Sequence, residues 1–215
     1  QLSAGVAHEL GAPLTVIDGR AQRLMRQLEQ PEQLRELTDI RDQVQRMTLI
    51  VRQLLDYGRN SRSQRKPLEV GLLVQSVVNQ HDQDDKCTRI VPGPRLFIQT
   101  DNSSMEQVLS NLLRNAWQAD PQGKVSIGWQ QISPVQLQIY VDDSGAGIPV
   151  EQRSRVLEPF FTTKTPGNGS GLGLAIVQRI VREHGGHIQI SDNPAGQGTR
   201  MELTFPLATE HGAQS

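Results

Sequence analysis

Val135-Gln136-Leu137-Gln138-Ile139-Tyr140-Val141-Asp142-Asp143-Ser144-Gly145-Ala146-Gly147-Ile148-Pro149 changes character halfway along. Up to Asp142 it alternates apolar and polar residues, the period of a strand with one buried face. From Asp143 onward it places two glycines and a proline around a carboxylate, which suits an irregular turn and neither strand nor helix. Working outward, residues 125–131 alternate in the same way and form a second strand. Before them Met105, Val108, Leu109, Leu112, Leu113 and Ala116 recur at helical spacing, with Asn111 and Asn115 one turn apart on the adjoining face. After the glycine turn come a helix at 172–183 and strands at 187–191 and 199–206. Upstream lie a short strand near Pro67, a helix at 72–80 and strands at 89–91 and 96–99. Strands and helices are mixed rather than strictly alternating, so the expected fold is a two-layer α/β sandwich and not a doubly wound parallel sheet.

The chain before this layer has another character. Ser3, Val6, Leu10, Leu14, Ile17, Ala21, Leu24 and Leu28 form one helical stripe, and the helix is expected to run to about Glu29 and stop at Gln30-Pro31. Pro13 removes a backbone donor inside it and should bend or loosen it there. Leu37, Ile40, Val44, Met47, Val51 and Leu54 continue the three-four alternation in a second helix. Both stripes are coiled-coil seams, which two antiparallel helices cannot enclose alone. A homodimer completing a four-helix bundle encloses them; packing on the chain's own second domain is the alternative. His8 lies off the stripe with Glu9 beside it, so its ring is expected to face water. The polar, basic stretch from Gly58 to Lys66 reads as a linker. The expected domains are therefore 1–62 and 67–207, with 208–215 a tail.

Composition narrows the function classes. At 215 residues, 36% hydrophobic and 21% charged, the chain can bury a core, and a net charge of −1 gives no reason to expect nucleic acid as partner. Cys87 is the single cysteine, so neither an internal disulfide nor a thiolate metal cluster can form. No apolar run approaches the roughly 20 residues that span a bilayer, and no signal peptide is present. A cytoplasmic location without membrane contact is expected for this segment, which begins inside a helical repeat and reads as a fragment of a longer protein.

Asp143 to Pro149 can bring backbone close to a ligand, and the Asp143 carboxylate can accept from an exocyclic amine such as adenine's. The same Asp-x-Gly-x-Gly pattern is also a common turn. Gly167-Asn168-Gly169-Ser170-Gly171-Leu172-Gly173-Leu174 ends by opening a helix, where free amides and the helix dipole suit phosphate oxygens. Its glycine spacing is not that of a P-loop, and no Lys-Ser or Lys-Thr follows Gly173. Asn111 and Asn115 offer neutral amide oxygens suited to a magnesium ion already bridged to phosphates, or to a capping or packing role.

In this order the segments resemble one family. Asn111-Leu112-Leu113-Arg114-Asn115-Ala116, residues 143–149, Glu158-Pro159-Phe160-Phe161-Thr162-Thr163-Lys164 and residues 169–174 are similar to the N, G1, F and G2 boxes of the sensor histidine kinases of two-component systems. Ala7-His8-Glu9-Leu10 with Pro13-Leu14 is similar to their H box. The resemblance implies an α-helical hairpin forming a dimeric four-helix bundle, followed by a GHKL (Bergerat) α/β sandwich that binds ATP. It implies that His8 is phosphorylated, with Glu9 orienting it or acting as base. Asp143 would hold the adenine amine, Asn115 would ligate Mg2+ and Asn111 would support the phosphate–metal cluster. Gly145, Gly147, Gly169, Gly171, Leu172 and Gly173 would shape the pocket and a lid over residues 151–170, with Thr199 near the adenine. Lys164 would offer the lid a charge for the phosphates, and Phe160 and Phe161 would anchor the lid. The implied partner is a response-regulator receiver domain, whose aspartate takes the phosphoryl group.

Two rival classes are a GHKL ATPase clamp and a dimeric scaffold with a degenerate nucleotide site. The clamps use a glutamate one turn before the magnesium asparagine, where this chain has Asn111, and an amide is no base. The scaffold is disfavoured because no implied ligand is missing. One departure bears on the reverse chemistry. Where many members carry Thr or Asn four residues after the histidine to position water, this chain has Ala12, preceded by Gly11, so weak phosphatase activity is expected.

Overall fold

The computed structural model describes residues 2–28, 30–58, 65–81, 88–120, 124–164 and 170–209, and the backbone alone at 2–10, 46, 49, 50 and 52–58. Gly169 and Cys87 thus fall outside the described residues, as do most of the expected linker and residues 210–215 of the expected tail. The chain divides into two compact units, residues 1–60 with 160–172 and residues 61–159 with 173–215.

The first unit contains two helices, α1 (Leu2–Met25) and α2 (Pro31–Gly58). Leu14, Ala21 and Val44 are buried between them, and Arg41 Nε meets Asp18 Oδ1 at 3.0 Å. α1 runs unbroken through Pro13 but ends four residues earlier than its apolar stripe implies. The chain turns at Arg26 and Gln27, with Gln27 N and Leu28 N both donating to Leu24 O at 2.9 and 3.2 Å. The reversal is needed to deliver Pro31 as the first residue of α2, where its fixed φ and missing donor cost nothing. Ile17, Leu24, Ile40 and Met47, all seam residues, stay exposed on the single hairpin.

The second unit is a two-layer α/β sandwich. β1 (Lys66–Glu69) pairs antiparallel with β3 (Phe97–Thr100), flanking α3 (Val70–His81) and β2 (Thr88–Val91) in sequence. The main sheet also takes β4 (Val125–Ser133), β5 (Gln136–Asp142), β6 (His187–Asp192) and β7 (Thr199–Pro206), in the order β2-β4-β5-β7-β6. Among the described residues of this sheet, only the β2–β4 pair is parallel. α4 (Asn102–Ala119) and α5 (Gly173–Glu183) join α3 as the helical layer.

The core lies between the layers. Leu137, Ile139 and Val141 of β5 and Met201, Leu203 and Phe205 of β7 point into it, as their alternation requires. Leu109, Leu112 and Leu113 of α4 and Ile176, Val177 and Ile180 of α5 meet them. The other sheet face is polar and cross-linked: Gln138 Nε2 donates to Glu202 Oε1 at 3.1 Å, and Ser191 Oγ to Glu202 Oε2 at 3.1 Å. At the start of the expected tail, Ala208 N donates to Phe97 O at 2.8 Å and pairs with that strand. Among the described residues no helix is long and apolar enough to cross a membrane.

Candidate nucleotide site

Register places the site. In the β5–β7 pair Asp142 faces Arg200, so Asp143 emerges from β5 exactly where Thr199 enters β7. Asp143 N donates to Thr199 O at 3.0 Å, and Thr199 N returns a bond to Asp143 Oδ1 at 3.1 Å. Gly145 N donates to the same oxygen at 2.9 Å. The carboxylate is buried and its orientation is held by two backbone amides, with the Thr199 hydroxyl adding a hydrogen bond. Burial pushes the Asp143 carboxyl above its usual range; the Gly145 and Thr199 amides pull it down, and neighbouring Asp142 pushes it up. Asp142 itself turns to the other face, where the Arg200 guanidinium grips it through two bonds of 2.7 and 2.8 Å.

The loop after Asp143 is clamped by α4 and by the β6–β7 turn. A Cβ on Gly145 would lie 2.8 Å from the Ala119 Cβ and 2.9 Å from its carbonyl oxygen, so only glycine lets this loop meet the end of α4. Ser144 Oγ donates to Asp120 Oδ2 at 3.2 Å and accepts from Lys124 N at 3.0 Å, fixing the same junction. Gly147 has φ +81 and lies close to Gly198 O. Asn115 is one helical turn before Ala119, about 6 Å along the axis, and Asn111 is one turn further. Both side chains are half-buried, so their amides are partly accessible to a ligand. The second unit therefore brings together Asp143, Gly145, Gly147 and Thr199, with Asn111 and Asn115 on the helix that buttresses them.

The remaining expected residues are distributed differently. Gly173 opens α5, and a Cβ there would have no neighbour within 4 Å. Leu172 is buried. Gly171 has φ +67, and its Cβ would meet the Phe160 backbone at 2.4 Å. Phe160 N donates to Gly171 O at 2.9 Å, so these two residues close the base of the segment between them by backbone contact. Of the two phenylalanines expected to anchor the lid, Phe160 is 61% exposed with φ +68, and Phe161 is half-buried. Lys164 is half-buried, and burial pushes its ammonium below the usual lysine range. His8 and Glu9 lie on α1, with their side chains outside the described set.

Sequence reasoning missed four residues of the site. Ser144 ties the loop after β5 from within it, while Arg153, Asn193 and Gly198 hold it from outside. Arg153 Nε donates to Ile148 O at 3.0 Å and its Nη2 pairs with Asp192. Asn193 Nδ2 donates to Asp143 O at 2.7 Å. Asp192-Asn193-Pro194 carries an ordinary turn signal, which says nothing about a partner 50 residues away.

A buried, pre-oriented carboxylate beside close-packed glycine backbone can accept from the amine of a planar heterocycle, and neutral amides one turn away can serve a cation bridged to phosphates. Among the described residues no group of three His, Cys, Asp or Glu could hold a metal by itself.

Comparison with known proteins gives the same picture. Residues 100–209 match the family model described as histidine kinase-, DNA gyrase B-, and HSP90-like ATPase, and residues 1–62 match the His Kinase A (phospho-acceptor) domain. The signal transduction histidine-protein kinase AtoS of Escherichia coli (strain K12) is 33% identical over 213 residues, covering 96% of this chain and 34% of AtoS. The crystal structure of full-length ShkA in complex with AMPPNP matches 99% of this chain and 46% of that one, at TM-score 0.75 and 26% identity. Histidine kinase ThkA in complex with response regulator protein TrrA matches 95% of this chain and 60% of that one, at TM-score 0.67 and 26% identity. The chain spans about a third of AtoS and about half of ShkA.

Proposed function

Because this chain belongs to the sensor histidine kinases of two-component systems, we propose that it is an ATP-dependent histidine autokinase whose phosphoryl group passes to an aspartate of a response regulator. The observation that carries this reading is the buried Asp143 carboxylate, held by Gly145 N and Thr199 N in a form suited to the adenine amine. The AMPPNP complex of ShkA and the complex of ThkA with TrrA support the nucleotide and the partner respectively. In this reading residues 1–62 dimerise and carry the phosphoacceptor, and residues 67–207 bind ATP. The exposed seam residues Ile17, Leu24, Ile40 and Met47 favour the homodimer, since burying them needs a second hairpin.

His8 is the nucleophile: one ring nitrogen attacks the γ-phosphorus of ATP, and ADP leaves. Glu9 accepts a hydrogen bond from the other nitrogen, which fixes the tautomer and leaves the attacking nitrogen its lone pair. Asn115, supported by Asn111, would hold Mg2+, which supplies charge neutralisation at the phosphates. Asp143 and Thr199 hold the base. Backbone amides at Gly171 and Gly173, at the start of α5, together with Lys164 would offset charge on the transferring group. Ala12 leaves the hydrolytic reaction without a side chain to position water, so regulator dephosphorylation is slow.

Incubation with γ-labelled ATP tests the reading. Wild type should acquire an acid-labile, alkali-stable label that chases onto a receiver domain, and His8→Ala should acquire none; a label that survives the substitution overturns the assignment. For the reverse reaction, loss of phosphate from the phosphorylated regulator is followed with this protein and ADP. Strong acceleration would contradict the role given to Ala12.

A further inference from the structure

The turn joining β6 to β7 does more than reverse the chain. Within it, Asn193 Oδ1 accepts from Ala195 N at 2.9 Å, Asn193 N donates to Gly198 O at 3.2 Å, and Gly196 N donates to Asn193 O at 3.1 Å. Those bonds complete the turn. The other end of the Asn193 amide leaves it: Nδ2 donates to the Asp143 carbonyl at 2.7 Å. Gly198, at φ +127, packs so closely on this spot that a Cβ there would lie 1.9 Å from Asp143 O. Asp192, one residue before Asn193, pairs with Arg153, which also holds Ile148 O. The loop after β5 is thus tied to the same turn near both its ends.

We propose that Asn193 is a positioning residue for base selectivity: by donating to the Asp143 carbonyl it fixes the backbone from which the carboxylate projects. This rests on reading Asp143 as the adenine acceptor. A purine with an exocyclic amine offers that carboxylate a donor, whereas one with a carbonyl at the same carbon offers a second acceptor and is repelled. Both effects depend on a carboxylate that cannot turn aside, because a loose one loses the bond to the amine and also escapes the repulsion. Turn formation needs only Oδ1, so the Nδ2 bond can be removed separately.

The test compares ADP with IDP, which differ by amine against carbonyl and carry no transferable γ-phosphate, by calorimetric titration of the full chain. Asn193→Ser keeps a hydroxyl acceptor for Ala195 N and is too short to reach Asp143; Asn193→Asp keeps length and acceptor and deletes the donor. Thermal unfolding is followed alongside. Both variants are expected to weaken ADP by about tenfold, IDP less, so that the ADP/IDP preference narrows. If the preference stays at the wild-type value in both folded variants, or if both nucleotides weaken equally, Asn193 serves the turn alone and the proposal fails. Asp143→Ala separates the two ideas. Should it leave the ADP/IDP preference intact, the adenine role of Asp143 falls, and the proposal with it; should it abolish the preference while Asn193→Ser does not, only the proposal falls.

Discussion

Asp143, the proposed adenine acceptor, is buried, and its burial has a consequence for pH. The ionised carboxylate is the stronger acceptor for an amine, and burial raises its pKa above the ordinary value of 3.8. Nucleotide affinity should therefore fall, as pH is lowered, at a higher pH than an exposed aspartate would set, and Asp143→Asn should remove that dependence. Titrating ADP affinity against pH for both proteins checks it. The sign for stability is the reverse. A carboxyl with a raised folded pKa favours the fold while protonated, so its contribution is present below the unfolded value and is lost as pH rises through the folded one. The glycines show where residue-level reading stops. Gly145, Gly171 and Gly173 look alike in sequence, yet a Cβ would strike the Ala119 backbone at the first, the Phe160 backbone at the second and nothing at the third. Gly173→Ala should therefore fold with unchanged or slightly higher stability by urea denaturation, gaining up to about 1 kcal/mol in helix propensity. Gly198→Ala should lose nucleotide binding outright, because its Cβ would sit 1.9 Å from the Asp143 carbonyl at a φ of +127. Nothing in the spacing of Gly198 distinguishes it from Gly196, whose Cβ would have open space.

At the scale of elements, periodicity reports reliably on what packs and poorly on where chains end. The packed face of α4 was legible because its apolar positions, from Met105 to Ala116, are all buried, while its ends at Asn102 and Ala119 were not. α1 was overextended because Leu28 continues the seam spacing after the helix has closed at Leu24 O. A stripe encodes a face, while a terminus depends on where the chain must reverse. The N-terminus of α4 illustrates what a cap adds. Asp101 Oδ1 accepts from Ser104 N and from Ser103 Oγ, both at 2.8 Å, and its Oδ2 lies 3.4 Å from His184 Nε2 at the end of α5. Removing it takes away an N-cap and a buried link between two helices. Asp101→Ala should cost about 1–2 kcal/mol in urea unfolding, and Asp101→Asn, which keeps a capping oxygen, should cost less. Equal losses in the two variants would mean that charge, and not capping, is what matters there. This pairing of Asp101 with His184 was invisible in sequence, since neither residue belongs to a periodic pattern.

For the molecule as a whole, the order of segments was the most legible property, because each strand and helix carries its own pattern and the sandwich follows from their mixture. Long-range ties such as Asn193 to Asp143 were not, because a hydrogen bond between distant loops leaves no local signature. The homodimer stands between these cases. Its seam was readable from spacing alone, and the hairpin leaves Ile17, Leu24, Ile40 and Met47 exposed where two helices cannot cover them. If a second copy covers that stripe, a charge placed in it must be desolvated against apolar neighbours, at a cost far above that of the same charge on a solvated face. Ile17→Glu with Ile40→Glu should therefore shift the protein from dimer to monomer in analytical ultracentrifugation. ADP affinity should stay within about twofold of wild type, because Asp143, Thr199 and the β6–β7 turn belong to the other unit. Autophosphorylation should collapse with dimerisation if His8 is served by the partner's nucleotide, and should persist in the monomer if it is served by its own. A double variant that remains dimeric would show that the stripe is covered by something other than a second hairpin, and the four-helix bundle would have to be given up.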